Sequence, residues 1–419
     1  MPTEKNSLKS TIAVSLTNYL DAGSIVAGAS GLGFWVEYLH LSNFAVGLLG
    51  AVSANAFGSA IGALVGGRMA DKYGRKHIYT YNMLIYMLGV LIIALSVNFP
   101  MLLCGFLITG LSVGVGVPAS WTYISETSET AHRARNIGIS QCAWSIGPFV
   151  IFLLGSLLAP MGLLGNRLIF GSLFVVAFIA WLLQRRLDES KAWEESRRQT
   201  NESKQPHPYK TLFSNKTNLR AILILVGMYL SWNLVASAMG FFMPYVYETV
   251  GGLSNQQANE LQMVLWACTV LATYFGFVKF ADKVSHRWMF FSGSLLGVTA
   301  WVILTYVGMS WAGLWSFVIL WGIQAGLGAQ SFYALWSSEL FPAKYRAAAQ
   351  GVMFFLVRAT CGFWSIAFPI LLTTLGFMVA GSIMVGLHVI SLLIGTLCAP
   401  KTRGKSLDQI TRERYGEHP

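Results

Sequence analysis

Asp21 is the acid inside the first long apolar run of the chain, and Arg358 is the basic residue inside the eleventh. A charge near the middle of a bilayer costs roughly 2.5–3.5 kcal/mol on insertion scales, so each must face a wet cavity or a partner. A carboxylate so placed takes up and releases a proton as its surroundings change from dry to wet, which suits Asp21 to proton coupling. The alternative is a structural partner for a helix end or an arginine. A guanidinium stays charged, so Arg358 must meet a carboxylate (Asp21 among them), a carbonyl cluster or a small anion. Amide and aromatic side chains on similar runs are Asn18, Trp121, Gln141, Trp144, Trp232, Asn233, Gln324, Gln330, Tyr333, Trp336 and Trp364. Amides and hydroxyls bind polyhydroxylated molecules, whose C–H faces stack on rings. Many of the 14 Trp are expected to be lipid-facing or interfacial belt residues. Trp121 and Trp336 stand apart because each precedes an acidic box, and His388 reads as a hydrogen-bonded interhelical residue.

A second group of charges repeats. The loop Gly67 to Lys76, GRMADKYGRK, has a worn copy, FADKVSHR, from Phe280 to Arg287. Asp71 and Asp282 are 211 residues apart, while Glu126 and Glu339, and likewise Arg133 and Arg346, are 213 apart. Matching charged loops at matching places predict a duplicated bundle, the plan of many machines that rock about a central site. Gly67, Asp71, Gly74, Arg75, Glu126, Arg133, Asp282, Arg287, Glu339 and Arg346 are the expected gate. Charge pairs and helix-end carbonyls there would lock one state and break on rocking. Each must be modest, a few kcal/mol at most, or the machine would stick.

The elements that must position these residues are twelve apolar runs: 11–35, 43–66, 78–97, 101–124, 137–159, 168–184, 221–247, 258–280, 288–308, 312–336, 347–374 and 376–398. Most approach or exceed the roughly 20 residues a helix needs to cross a bilayer. Charged residues are only 11% of the chain, too few to cover a soluble surface. The net charge of +11 does not point to nucleic acid. Apart from Arg167 and Arg358, every Lys and Arg falls in the tails or the even-numbered loops, which places both termini in the cytoplasm. The fold expected is an all-α polytopic membrane protein, with bundles at 1–184 and 221–400, a linker at 185–220 carrying a short amphipathic helix, and a tail at 401–419. The N-terminus shows no cleavage site. Five cysteines without metal-ligand spacing predict neither disulfides nor zinc. Gly67 to Lys76 lacks the Gly-Lys-Ser/Thr of a P-loop, and no nucleophile–base set appears, so an enzyme is not expected. Gly58, Gly62 and Gly66 share a helix face, as do the glycines from Gly105 to Gly116, and predict close helix packing.

The loop Gly67, Asp71, Gly74, Arg75, Lys76 and the twelve-run layout resemble the major facilitator superfamily over the whole chain. Within it, several boxes are similar to those of sugar porters and related metabolite–proton symporters. They are Tyr123 to Glu126 with Arg133, Ser338 to Pro342 with Arg346, Glu189-Ser190 with Trp193, and Lys401 to Leu407. Gln141 with Gly147, and Phe241 to Pro244, match further patterns. The resemblance implies two pseudo-symmetric six-helix bundles working by alternating access, with Asp21 in the proton-carrying Asp-x-Gly of the first span. Ser231 and Trp232 stand where sugar porters carry paired glutamines, Ser237 stands for their asparagine, and Phe106 stands for the fourth-span arginine. Arg358 instead resembles the organic-acid branches. The expectation is proton-coupled uptake of a small hydrophilic metabolite, a sugar or polyol first. An organic anion held by Arg358 is the alternative, and a drug antiporter or an uncoupled facilitator ranks lower. A multi-pass monomer in a bacterial cell membrane is expected, with a small molecule and a proton as partners, no nucleic acid and no cofactor.

Overall fold

Apolar runs of bilayer length satisfy their own backbone polar groups as helices. A computed structural model describes residues 4–129, 132–190, 193–194, 212–343 and 345–416, and these contain helices and no strand. Twelve spans result among them. The first is Glu4–Ser30, prolonged by Leu32–Leu39; the second is in two pieces, Asn43–Val52 and Phe57–Tyr73. The third to seventh are Arg75–Ala94, Phe99–Thr127, Arg133–Leu158, Leu163–Gln184 and Lys216–Thr249. The eighth, Asn255–Ala272, ends in a π turn at Thr273–Val278, and the ninth is His286–Tyr306. The tenth is split into Trp311–Leu327 and Ala329–Glu339. The eleventh and twelfth run together as Arg346–Leu397, bent back at Gly376, whose φ of 80° favours glycine. A short amphipathic helix, Leu407–Tyr415, closes the chain.

Short polar residues start several helices. Asn98 accepts the Met101 N–H at 2.9 Å, with Pro100 in the first turn, and Ser254 forms a capping box with Gln257. The sixth span begins five residues before its expected start at 168. Polarity at Asn166 and Arg167 hides that turn in the sequence. In the fold, Asn166 is buried, accepting from Trp35 Nε1 at 2.8 Å and donating to Ala27 O at 2.9 Å. The helix expected in the 185–220 linker lies largely outside the described residues.

Gly58, Gly62 and Gly66 pack the second span on the fourth, where Gly110 and Gly114 face them. Gly105 meets Ile93 of the third span, and Gly116 meets Asn82 of the third and Thr17 of the first. A Cβ at Gly62 would lie 2.1 Å from Leu111 O, and one at Gly114 would lie 2.0 Å from Ser59 O. Gly62→Val should therefore lower the melting temperature of purified protein, at a cost of about 1–3 kcal/mol from overpacking. An unchanged thermal melt would contradict this packing. The second span also packs on the eleventh, across the two halves. A Cβ at Gly67 would meet Ala347 O at 2.6 Å near one end, and one at Gly47 would meet the Ile366 backbone at 3.4 Å near the other.

Candidate functional site

Both halves line one central cavity. Ala22, Ile25 and Val26 of the first span, Asn55 of the second, and Trp144 and Pro148 of the fifth face Trp232, Asn233 and Ser237 of the seventh. Gln262 and Trp266 of the eighth, Trp321 of the tenth and Arg358 of the eleventh complete the wall. The unpaired polar atoms on this wall share a type. Trp232 Nε1, Trp266 Nε1, Gln262 Nε2 and Arg358 Nε are all buried donors with no hydrogen-bond partner among the described residues. A buried donor left unpaired costs about 1–3 kcal/mol, so the cavity suits a molecule rich in acceptor oxygens. The indoles supply flat faces for its C–H groups.

Asp21 adjoins this cavity and is 1% exposed. Its Oδ2 accepts from Trp144 Nε1 at 2.9 Å, while Oδ1 has no hydrogen-bond partner among the described residues. Trp144 packs edge-on against Trp266 of the other half, ring centroids 5.2 Å apart. One indole thus joins the carboxylate, the cavity and the facing bundle. Phe106, in place of the family's arginine, packs against Phe170, and Asp21 forms no ion pair with the described residues. Arg358 does not pair with a carboxylate among them. Its Nη1 donates to Asn55 O at 3.1 Å and its guanidinium lies 4.9 Å over the Phe354 ring, so it is the carbonyl option that the structure adopts.

Of the other candidates, Trp144, Trp232 and Asn233 reach the cavity wall and the rest do not. Asn18 and Trp121 bond each other, Trp121 Nε1 donating to Asn18 Oδ1 at 3.0 Å. Trp121 then meets Tyr333 of the opposite half at 5.8 Å, and Tyr333 stacks on Tyr229 at 3.9 Å. Tyr229 donates to Gln330 Oε1 at 2.8 Å. These residues form an aromatic cluster that joins the two halves. Gln141 is buried against Ser140 at 3.4 Å. Gln324 is buried beside Gly297, close to His388. Trp336 sits inside the second half, 4.9 Å from Phe332, and Trp364 lies beside Phe368 at 6.0 Å. Gln141, Gln324 and Trp336 are buried within one bundle, and Trp364 is only half-buried, so none of the four lines the cavity. Asn55, Gln262, Trp266 and Trp321 are the polar and aromatic wall residues that sequence reading missed, and Ser237 was noted only as the place of a sugar-porter asparagine. Gln262 and Trp266 carry a usable signal, because they stand four apart on one helix face.

The repeated charges converge at one set of helix ends, each half holding the other. Glu126 Oε1 accepts from Arg346 Nη1 at 3.2 Å, and Glu339 Oε1 accepts from Arg133 Nη1 at 3.4 Å. Asp71 Oδ2 accepts the Ala348 N–H at 2.8 Å, and Asp282 Oδ2 accepts the Arg135 N–H at 3.1 Å. Both amides lie in the first turn of a helix belonging to the opposite half, where carboxylates are favoured. Burial pushes the Asp282 carboxyl above the ordinary carboxylate range, against the pull of the amide bonds from Arg135 and Ala134. The first half adds local bonds: Arg75 pairs with Glu126 at 3.0 Å and with Asp71 at 3.1 Å. Glu189 accepts the Arg75 and Lys76 N–H groups at 3.0 and 3.1 Å. That approach requires Gly74, since a Cβ there would lie 2.2 Å from Glu189 Oε2. Arg287 does not join. It is exposed and forms no ion pair with the described residues, because the ninth helix turns the neighbouring His286 inward instead, bonded to Ala281 O at 3.0 Å.

A family model described as Major Facilitator Superfamily matches residues 12–366. The chain is 46% identical over 417 residues to the minor myo-inositol transporter IolF of Bacillus subtilis (strain 168), covering 97% of this chain and 94% of that one. It is 24% identical over 417 residues to the major myo-inositol transporter IolT of the same organism, covering 89% and 86%. Its fold resembles that of the proton:xylose symporter XylE bound to 6-bromo-6-deoxy-D-glucose, with a TM-score of 0.82 at 17% identity over 98% of this chain and 99% of that one.

Proposed function

The chain belongs to the major facilitator superfamily, and from that premise we propose that it carries a sugar or polyol, myo-inositol first, into the cell by alternating access, with Asp21 carrying the proton. The observation that carries the cargo is the set of unpaired donors on a wall built by both halves. A neutral polyol offers hydroxyl oxygens to Trp232 Nε1, Trp266 Nε1 and Gln262 Nε2 and a C–H face to the indoles. Two relatives named as myo-inositol transporters support the same class. The Arg358–Asn55 bond favours a neutral cargo over an organic anion, since the guanidinium already has an acceptor.

Residues 1–184 and 221–400 are the rocking bodies in this reading, joined by the linker at 185–220. The protein acts as a monomer in a bacterial cell membrane, with both termini and the 401–419 tail cytoplasmic. Opening inward breaks the crossed pairs Glu126–Arg346 and Arg133–Glu339, and opening outward preserves them. Protonation of Asp21 releases the claim of its carboxylate on Trp144, and through Trp266 the change reaches the facing half.

Counterflow into proteoliposomes tests the cargo. Liposomes loaded with myo-inositol should take up labelled myo-inositol transiently, while succinate-loaded liposomes should not. Counterflow of carboxylates with none of polyols would reverse the assignment.

A further inference from the structure

The break in the second span is closed by a residue from the other half. Ser53 leaves the helix with ψ −178° and Ala56 has φ −145° and ψ −116°, so Asn55 lies outside both helical pieces. Arg358 Nη1 donates to its carbonyl at 3.1 Å and to its Oδ1 at 3.4 Å. The end of Asn43–Val52 is a helix C-terminus, whose partial negative charge draws a cation. Asn55 Nδ2 in turn reaches Ser237 O of the seventh span at 3.4 Å. Three spans from two halves therefore meet at one non-helical residue on the cavity wall. On the far side of the break, the piece Asn43–Val52 is folded against the second half. A Cβ at Gly50 would lie 3.2 Å from Phe241, and one at Gly47 would lie 3.4 Å from Ile366.

We propose that Arg358 is the occlusion pin of the cavity: its bond to the Asn55 carbonyl holds the separate piece Asn43–Val52 closed and so sets how fast cargo enters and leaves, not how tightly it is held. Arg358 is a positioning residue in this role, and the inference rests on the alternating-access reading above. The piece can move because its helical ladder ends at the break. Its outward swing costs the cross-half bond and leaves a buried guanidinium to find water.

Stopped-flow tryptophan fluorescence reads the kinetics, with Trp144, Trp232, Trp266 and Trp321 in the cavity wall as reporters and myo-inositol as probe. Loss of one charge-assisted bond in Arg358→Gln should raise association and dissociation rates together by about tenfold, leaving Kd unchanged. Amide hydrogen exchange over residues 43–58, measured with no cargo present, should quicken in the same variant. Arg358→Lys keeps the charge and should recover part of the slow exchange; it also serves where Arg358→Gln does not fold, by showing a smaller shift of the same sign. A rise in dissociation alone would make Arg358 a cargo ligand and overturn the pin. Unchanged amide exchange would overturn it too. Amide exchange is read without cargo, so it tests the pin even where myo-inositol proves to be the wrong cargo.

Discussion

Asp21→Asn is expected to abolish uphill uptake while leaving cargo exchange intact. A one-unit pH gradient is worth about 1.4 kcal/mol per proton, or about tenfold accumulation. Proteoliposomes with wild-type protein should reach that level with the outside acidic, and the variant should stop at equal concentrations. The amide keeps an oxygen that can accept from Trp144 Nε1, the bond now made by Oδ2 at 2.9 Å, so folding and cargo binding should survive. What it loses is the titration. The absence of a fourth-span arginine gives the test its force, since Phe106 occupies that place and Asp21 has no ion pair among the described residues to mask the effect. Continued tenfold accumulation by the variant would remove Asp21 from coupling, and the same failure in wild type would identify a facilitator.

Glu126→Gln is expected to shift the resting population toward a form open at the Glu126 end. Glu126 Oε1 serves Arg75 at 3.0 Å and Arg346 at 3.2 Å, and Oε2 accepts from Ser190 at 2.6 Å. Removing the charge weakens two charge-assisted bonds, one of them across the halves, worth about 1.5–3 kcal/mol each. The closed form should lose about tenfold to a hundredfold in population. Spin labels at the exposed positions Lys72 and Lys283 should then show a second, longer distance in electron–electron resonance. Arg287→Gln, at the same membrane face but exposed and without an ion pair among the described residues, should leave the distribution as it is. An unchanged distribution in Glu126→Gln would deny the gate its leverage.

These two sites were legible to different degrees in the sequence. Charges are scarce here and stand out against apolar runs, so the acids and arginines that meet across the halves could be found by repeat, which also counted the exposed Arg287 among them. Their wiring could not, because spacing along a chain does not say that Glu126 reaches Arg346 rather than Arg133. Asp21 and Arg358 were visible for the same reason of scarcity. The cavity wall was harder. Asn55 is one amide in a run that reads as an unbroken helix, and nothing local announces the break at Ser53 to Ala56. Trp121 and Trp336 show the opposite error. Both precede an acidic box, but Trp121 turns to Asn18 and Tyr333, and Trp336 turns into its own bundle. A helical period assigns a face, and only packing decides whether that face meets lipid, a neighbouring helix or the cavity.

The contacts of Asp71 and Asp282 bear on how freely this chain can drift. Each carboxylate is answered by a main-chain amide, at Ala348 and at Arg135, which every residue except proline possesses. The gate therefore makes no demand on side-chain identity at 348 or 135 through these bonds, and two of the four cross-half acid contacts described above can persist through nearly any substitution there. The salt bridges place requirements on both partners at once; the amide contacts place them on one. A rocking machine built this way keeps half of its closure insulated from mutation on the opposing surface.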